Sequence, residues 1–470
     1  MSALETRLDA LNWDVLQYMV TFLSRPDVSS FMKTSHEFYE LSLRQLFRDP
    51  VELRTNNIQS LHASLRIGTS HPRSHYLRDI TMSCTLSRLQ PLSQDGHVST
   101  EELLCDILRN ASRLQRLRLD WGAASLSGSF SVVMPALNSL EEVYLPLVSQ
   151  ELWDSIKGLR APIRKLTARF GPTNQLPFLT TDPVPLLKSF RSTLLELDLA
   201  VIQCEDTSAI CPAVRKLSLA DCYYGRTRGG IDIGPVMRAF PNVVDFSLSA
   251  AKAQPALSHW KEGRSCDRAD IIDRCRAANA QWQREHSHDG WTSLASITVG
   301  HVVDLYMLGL FQSVPRVEIR AFSEGTLWMF RHVLSDTRPS HLTVSLFARD
   351  YILDCLPALI PAEESAAASL RHLTLILQCD DADIPVERII ANVTDMLARL
   401  RIERLSLCMC RWDTVGPYRL SPRSLRALDS ALDAVHGQTG ALASRLLGGI
   451  PALRELALTV AGREGRWART

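Results

Sequence analysis

The sequence predicts an α/β chain: a few short N-terminal helices, then a solenoid of strand–helix units whose parallel strands form a curved sheet. Three observations carry that prediction. A cassette of the form apolar-x-x-apolar-x-apolar recurs from Leu77/Ile80/Met82 to Leu453/Leu456/Leu458 and is cleanest at Leu114/Leu117/Leu119. Amphipathic stretches with helical spacing, such as Glu101 to Asn110, separate the copies. The first forty-odd residues lack the cassette altogether. A self-similar period marks stacked units that bury their apolar faces only against their neighbours.

Such an array also accommodates 470 residues, more than one compact core usually holds. An apolar content of 46% with 22% charged residues is that of an ordinary globular protein. A formal net charge of +1 leaves no broad basic surface for nucleic acid or an anionic membrane, so neither is expected as a partner. The cysteines number 11, an odd and scattered set that suits a reducing compartment better than a disulfide framework. Asp9, Asp14 and Gln17 interrupt the first apolar segment, so no signal peptide is expected, and no apolar run is long enough to span a bilayer. Cytoplasm, nucleus or both follow as the expected location.

Taken in order, the chain opens with three expected helices, from about Trp13 to Leu23, from about Pro26 to Thr34, and from His36 to Phe47. On the first, Trp13, Val15, Leu16, Tyr18, Met19, Val20, Phe22 and Leu23 form an apolar arc of roughly 220°, leaving Asp14, Gln17 and Thr21 polar. A surface helix needs about half that width. The surplus predicts either a partner or burial against the rest of the chain.

The run Leu11 to Leu23, then Pro26, Asp27 and Val28, then Phe31, Thr34 and Phe38, resembles the F-box, the adaptor-binding module of cullin-RING ubiquitin ligases. The resemblance covers residues 1–48. It implies a Skp-type adaptor as partner, and through it a cullin scaffold. It also implies contacts from Leu11, Asn12, Val15, Leu16, Met19, Leu23, Val28 and Phe31. Two positions depart from the family: Asn12 stands where a proline is usual, and Phe38 where a tryptophan is common. Asn12 is itself a good helix cap.

Residues 49–76 are expected to add one strand, Val51 to Leu53, and one helix carrying Ile58, Leu61 and Leu65. Over 77–460 the units resemble leucine-rich repeats, although the asparagine usual after the second leucine is missing. The residue two places after each cassette start gives Asp79, Arg116, Glu142, Lys165, Glu196, Lys216 and Asp245, seven charges of alternating sign. Strands paired in register set these side by side, where opposite charges attract. The row therefore reads as a register ladder, with a charged substrate track as its alternative. After Asp245 the row continues as Ser296, Arg316, His341, His372, Arg404 and Glu455. That loss of alternation coincides with a long insertion, so a break in curvature or pairing is expected there.

Loops leaving the same end of each strand share one rim. It collects Asp120, Trp121, Arg169, Phe170, Tyr223, Tyr224, Arg226, Arg228, Trp260, Arg411, Trp412 and Tyr418, the aromatic and arginine types that dominate interfaces. Among these, Trp121, Arg169, Phe170, Tyr223, Tyr224, Arg226, Trp260, Arg411 and Trp412 are the candidate target-binding residues. Several of the aromatics are equally suited to folding back over the strand edge.

Cys266, Cys275, His286 and His288 match no compact zinc spacing, and Cys275 shares a helical face with Ile271, Ile272, Ala278 and Trp282, so no metal is expected. Cys408 and Cys410 flank Met409 on a strand, one expected buried and the other exposed. No phosphate-binding glycine loop and no nucleophile elbow occurs, so neither catalytic residues nor a cofactor is expected. The tail, 461–470, reads as a frayed end or as a cover over the last strand edge. The resemblance implies a noncatalytic substrate receptor of a ubiquitin ligase with an unknown target protein. The alternative is a repeat scaffold or inhibitor whose N-terminal helices cap the first repeat.

Overall fold

The computed structural model describes residues 13–54, 56–66, 73–83, 100–119, 128–145, 150–169, 184–200, 209–220, 232–249, 266–286, 290–321, 324–348, 353–354, 356–360, 368–411 and 421–469. The chain divides into two units, Met1–Val201 and Ile202–Thr470.

In the first unit, β1 (Val51–Leu53), β2 (Asp79–Met82), β3 (Arg116–Leu119), β4 (Glu142–Leu145), β5 (Lys165–Arg169) and β6 (Glu196–Ala200) pair in chain order, every pair parallel. The second unit holds β7 (Lys216–Ala220), β8 (Asp245–Ser249), β9 (Ser296–Val299), β10 (Arg316–Ile319), β11 (His341–Phe347), β12 (His372–Cys379), β13 (Arg404–Arg411) and β14 (Glu455–Val460). These are again parallel neighbours in sequence order, and β15 (Arg463–Ala468) closes the series antiparallel to β14. The architecture is thus α/β with mostly parallel strands.

Every cassette yields a strand that begins two residues after the cassette's first apolar position, and so do two imperfect copies, Ile163/Leu166/Ala168 and Pro339/Leu342/Val344. The geometry explains the offset. The first apolar residue (Leu77, Leu114, Leu140) is buried at the turn, and the other two point inward from the strand at alternate positions. Arg116 and Arg118 alternate with the buried Leu117 and Leu119 and point outward. One face of each sheet is therefore apolar and buried, and the other is polar and open.

Helices fill the intervals: α1 (Trp13–Val20), α2 (Arg25–Phe31), α3 (His36–Leu46), α4 (Ile58–Arg66), α5 (Thr100–Asn110), α6 (Gly128–Val133) and α7 (Gln150–Lys157) in the first unit. The second has α8 (Ile233–Ala239), α9 (Cys266–Glu285), α10 (Val302–Leu308), α11 (Leu327–Thr337), α12 (Val386–Ala398), α13 (Pro422–His436) and α14 (Thr439–Gly449). The buried stripe of α5, Leu103, Leu104, Ile107 and Leu108, has the spacing of a core-facing helix. Among the described residues no helix is long and apolar enough to cross a membrane.

The charge row stands in register where the strands of one unit can be compared. Asp79 faces Arg116 at 2.9 Å, Arg116 faces Glu142, Glu142 faces Lys165, and Lys165 reaches Glu196 at 3.1 Å; in the second unit Lys216 faces Asp245. Asp79 is buried, and that burial pushes its carboxyl pKa up despite Arg116. Lys165→Glu would set three carboxylates side by side. Urea unfolding is expected to register a loss of about 1 kcal/mol, partly recovered by adding Glu196→Lys.

The expected break after Asp245 does not occur in the pairing. β8 and β9 pair in register, and the Ser296 hydroxyl donates to the Asp245 carboxylate. A hydroxyl takes the place of a cation there, and the four pairs from Asp245 and Ser296 to Leu248 and Val299 follow without a gap. The tail also departs from a frayed end. Ala461 and Gly462 both take positive φ (50° and 77°), the conformation of a tight two-residue hairpin, and Arg463–Ala468 returns along β14.

The second unit buries polar groups where the sequence reading placed an apolar helix face. On α9 the buried residues include Asn279 and Gln283, while Ala278 is exposed. Asn279 donates to the Met307 carbonyl at 2.8 Å and Gln283 to that of Leu308 at 2.9 Å. These satisfy carbonyls that the last turn of α10 leaves unpaired. Gly309, at φ 59°, ends α10; a side chain there would approach the Arg276 carbonyl to 2.7 Å. Cys275 receives a hydrogen bond from Asn279, and burial pushes its thiol pKa up to about 11.

At the other end of α10, His301 Nδ1 accepts from the Val303 amide at 3.2 Å, and Asp304 accepts from the His301 amide. Burial holds this imidazole down at about 4. An unfolded histidine titrates near 6.5, so between those values the unfolded chain binds the extra proton. Stability is therefore fully present above pH ~6.5 and lost as pH falls towards 4, by about 2 kcal/mol at pH 5. His301→Asn keeps a capping acceptor without a titrating group, and its urea unfolding is expected to lose that part of the pH dependence.

Candidate functional site

The first helix divides its wide apolar arc in two. Leu16 and Val20, one turn apart, are 7% and 2% exposed and face inward, where α1 packs on α3. The Gln45 side-chain amide donates to the Thr21 carbonyl at 3.2 Å and ties the end of α1 to α3. Regular helix stops at Val20 rather than Leu23, because residues 21–23 tighten into i→i−3 bonds such as Thr21 N to Tyr18 O.

Val15, Tyr18, Met19 and Phe22 stand at i, i+3, i+4 and i+7, and are 46%, 67%, 56% and 70% exposed. Tyr18 and Phe22 meet edge to face with ring centroids 4.8 Å apart. A four-residue apolar stripe is thus held out by a helix anchored on its opposite side. Burying side chains of this size is worth roughly 1.5–3 kcal/mol each. No described residue of the chain covers them.

The other adaptor candidates take different places. Leu16 and Val28 are buried in the helices' own core. Leu23 and Phe31 are half-buried, with Phe31 packed on Phe38 at 4.2 Å between centroids. Leu11 and Asn12 lie outside the described residues. Tyr18 and Phe22 were legible in the sequence as part of the arc, but the family resemblance did not single them out.

Of the rim residues, Arg169 ends β5 and is exposed, and Arg411 ends β13 with Nη1 3.4 Å from an Asp429 oxygen on α13. Trp121, Phe170, Tyr223, Tyr224, Arg226, Trp260 and Trp412 lie outside the described residues, as do Asp120, Arg228 and Tyr418. The Cys408/Cys410 expectation is corrected. Residues two apart on a strand share a face, and both thiols sit half-exposed on the open side of β13. A hydrogen bond from Cys410 lowers the Cys408 thiol to about 7. Among the described residues no group of three His, Cys, Asp or Glu is placed to hold a metal ion.

The open sheet faces carry what the sequence reading treated only as a lapse in alternation. In the first unit a trough of 270 Å³ is floored by Asp79, Arg116, Glu142 and Lys165, opposite charges on neighbouring strands. The second unit has a larger trough of 780 Å³ running from β9 to β15. Its floor holds Arg316, His341, His372 and Arg404 on four consecutive strands in register. The two imidazole centroids are 4.0 Å apart. Burial lowers the His341 pKa, and His372, Arg316 and Arg404 lower it further. The signal was present in the row itself, as four residues in succession that are Arg or His.

Compared with models of known protein families and with curated proteins, the chain matches none.

Proposed function

We propose that this chain is a noncatalytic substrate receptor of an F-box-type cullin-RING ubiquitin ligase, acting in the cytoplasm, the nucleus or both. In this reading α1–α3 form an F-box-like module that docks a Skp-type adaptor. The strand–helix array, a leucine-rich-repeat-like solenoid, presents a target protein. The observation that carries the reading is the exposed stripe Val15, Tyr18, Met19 and Phe22 on a helix whose other side is fixed by Leu16 and Val20. Apolar side chains in such a row lose free energy to water and recover it against a partner's helices. The receptor needs no chemistry of its own, because holding a target lysine near a ubiquitin-loaded enzyme raises its effective concentration.

A cap for the first repeat is the competing role. It is supported by Arg73, whose guanidinium lies 5.0 Å over the Tyr39 ring of α3. Capping accounts for α3 but not for the stripe on α1. Copurification with a Skp-type adaptor separates the two: a receptor retains it and loses it on Met19→Asp with Phe22→Asp, whereas a cap never retains it.

A further inference from the structure

The thiols of the described residues fall into two kinds. Cys105, Cys211 and Cys379 are buried, and burial pushes Cys105 up to about 11 and Cys379 up to about 12. Cys275, half-buried on α9, is also raised to about 11. Cys105, Cys275 and Cys379 therefore stay protonated near neutral pH. Cys408 and Cys410 differ: they lie two residues apart on the open face of β13, half-exposed, with Cys410 donating a hydrogen bond to Cys408. We propose that Cys408 is a site of reversible oxidation by a hydroperoxide, with Cys410 as the thiol that resolves it. Nothing in this chemistry draws on adaptor docking or target capture.

Peroxides react with thiolates, so the reacting sulfur is the one that ionises more easily. A thiolate at Cys408 accepts the Cys410 S–H, and that bond brings its pKa down to about 7 against the opposing effect of burial. Its neighbours in register, Ile376 on β12 and Thr459 on β14, carry no charge. A large share of Cys408 is thus ionised near neutral pH, on a face that a small neutral oxidant reaches from solvent. An exposed thiolate beside a second thiol is the arrangement that redox-sensing cysteines use.

The reaction runs in two displacements. The Cys408 thiolate attacks one peroxide oxygen; an S–O bond forms, the O–O bond breaks, and the leaving oxygen takes up a proton and departs as water or an alcohol. Cys408 is then a sulfenic acid. Cys410 sulfur attacks the Cys408 sulfur; an S–S bond forms, the S–O bond breaks, and the hydroxide leaves as water with the proton that Cys410 gives up. The two thiols lose two electrons and two protons, and the peroxide takes up both.

Strand geometry makes the product easy to undo. Residues two apart on a strand have Cα atoms about 6.6 Å apart, close to the upper limit of about 6.8 Å for a disulfide. The hydrogen bond already turns the two sulfurs towards each other, and closing the bond draws in the end of β13. Register with β14 stops at Met409 and Val460, whereas register with β12 runs on to Arg411 and Cys379, so this end is held from the β12 side. A disulfide closed under strain is readily reduced, and glutathione suffices to reopen it.

The test exposes the reduced full chain to hydrogen peroxide and follows it by trypsin digestion and mass spectrometry. Cleavage after Arg404 and Arg411 releases one peptide that carries both cysteines. Expected is the loss of two hydrogens from that peptide, restored by glutathione, at least about tenfold faster than oxidation of the peptides carrying Cys105 or Cys379. Cys410→Ser keeps a hydrogen-bond donor but removes the resolving sulfur, so Cys408 should stop at the sulfenic acid and be trapped by dimedone. Cys408→Ser should slow oxidation of Cys410 by about tenfold. Urea unfolding of both variants should match that of the wild type, since both thiols are half-exposed, and the wild-type comparison decides the reaction even where a variant is destabilised. Oxidation of this peptide no faster than that of the Cys379 peptide overturns the proposal, and so does undiminished reaction of Cys410 in Cys408→Ser. A bond formed between two chains instead of within one, or oxygen gained at Met409 with both thiols intact, overturns it equally.

Discussion

Met19→Asp combined with Phe22→Asp is expected to cut retention of a Skp-type adaptor by at least about 100-fold while leaving the unfolding curve in place. The magnitude follows from burial: two such side chains contribute roughly 3–6 kcal/mol when an interface removes them from water, and each 1.4 kcal/mol is a factor of ten. A carboxylate forced into the same interface adds its own desolvation cost. The fold is spared because both residues are already in water, at 56% and 70% exposure. Leu16→Asp makes a poorer test, since Leu16 is buried where α1 packs on α3 and a carboxylate there would unfold these helices. Pull-down of purified adaptor by wild-type and variant chains, with circular dichroism on both, gives the answer. Undiminished retention by the double variant would remove the stripe from the interface.

Trp291→Ala is expected to destabilise the second unit by about 4 kcal/mol in urea unfolding. Trp291 is fully buried, its ring tilts against Phe246 with centroids 4.6 Å apart, and its Nε1 donates to the Phe240 carbonyl at 2.8 Å. Truncation leaves a cavity and an unpaired buried carbonyl together. Trp291→Phe keeps most of the volume and abandons only the hydrogen bond, so its cost should be nearer 1–2 kcal/mol. If both variants cost the same, the carbonyl and not the cavity dominates.

How far the sequence reading reached depended on whether a feature is periodic. Strand positions were legible because each cassette repeats one turn-and-strand geometry, so even Pro339 and Ile163, with imperfect copies, marked β11 and β5 correctly. Register was legible from Asp79, Arg116, Glu142 and Lys165, because side chains set side by side must agree in charge. The exposed half of α1 was not legible. An apolar arc tells how much surface seeks cover, but the position of α3 decides that Leu16 turns inward and Met19 outward. Asn279 and Gln283 were missed for a related reason: they are buried to satisfy the end of α10, a demand set by tertiary packing that no helical wheel of α9 contains. Cys408 and Cys410 share one face because side chains two apart on a strand point the same way. Most of the candidate rim falls on residues the structure does not describe.

The hairpin at Ala461 and Gly462 has a directional consequence. A stack of parallel strands is a template, since the last strand presents the same unpaired edge to which the next was added, and any strand of matching polarity can extend it. Reversing the chain at β15 changes the polarity of that edge. A further parallel unit, from this chain or another copy, would meet an antiparallel strand carrying Arg463, Glu464 and Arg466, of which Arg463 and Arg466 are already paired to Asp433 and Glu464. The ladder of the second unit therefore closes at β15 on an edge of reversed polarity.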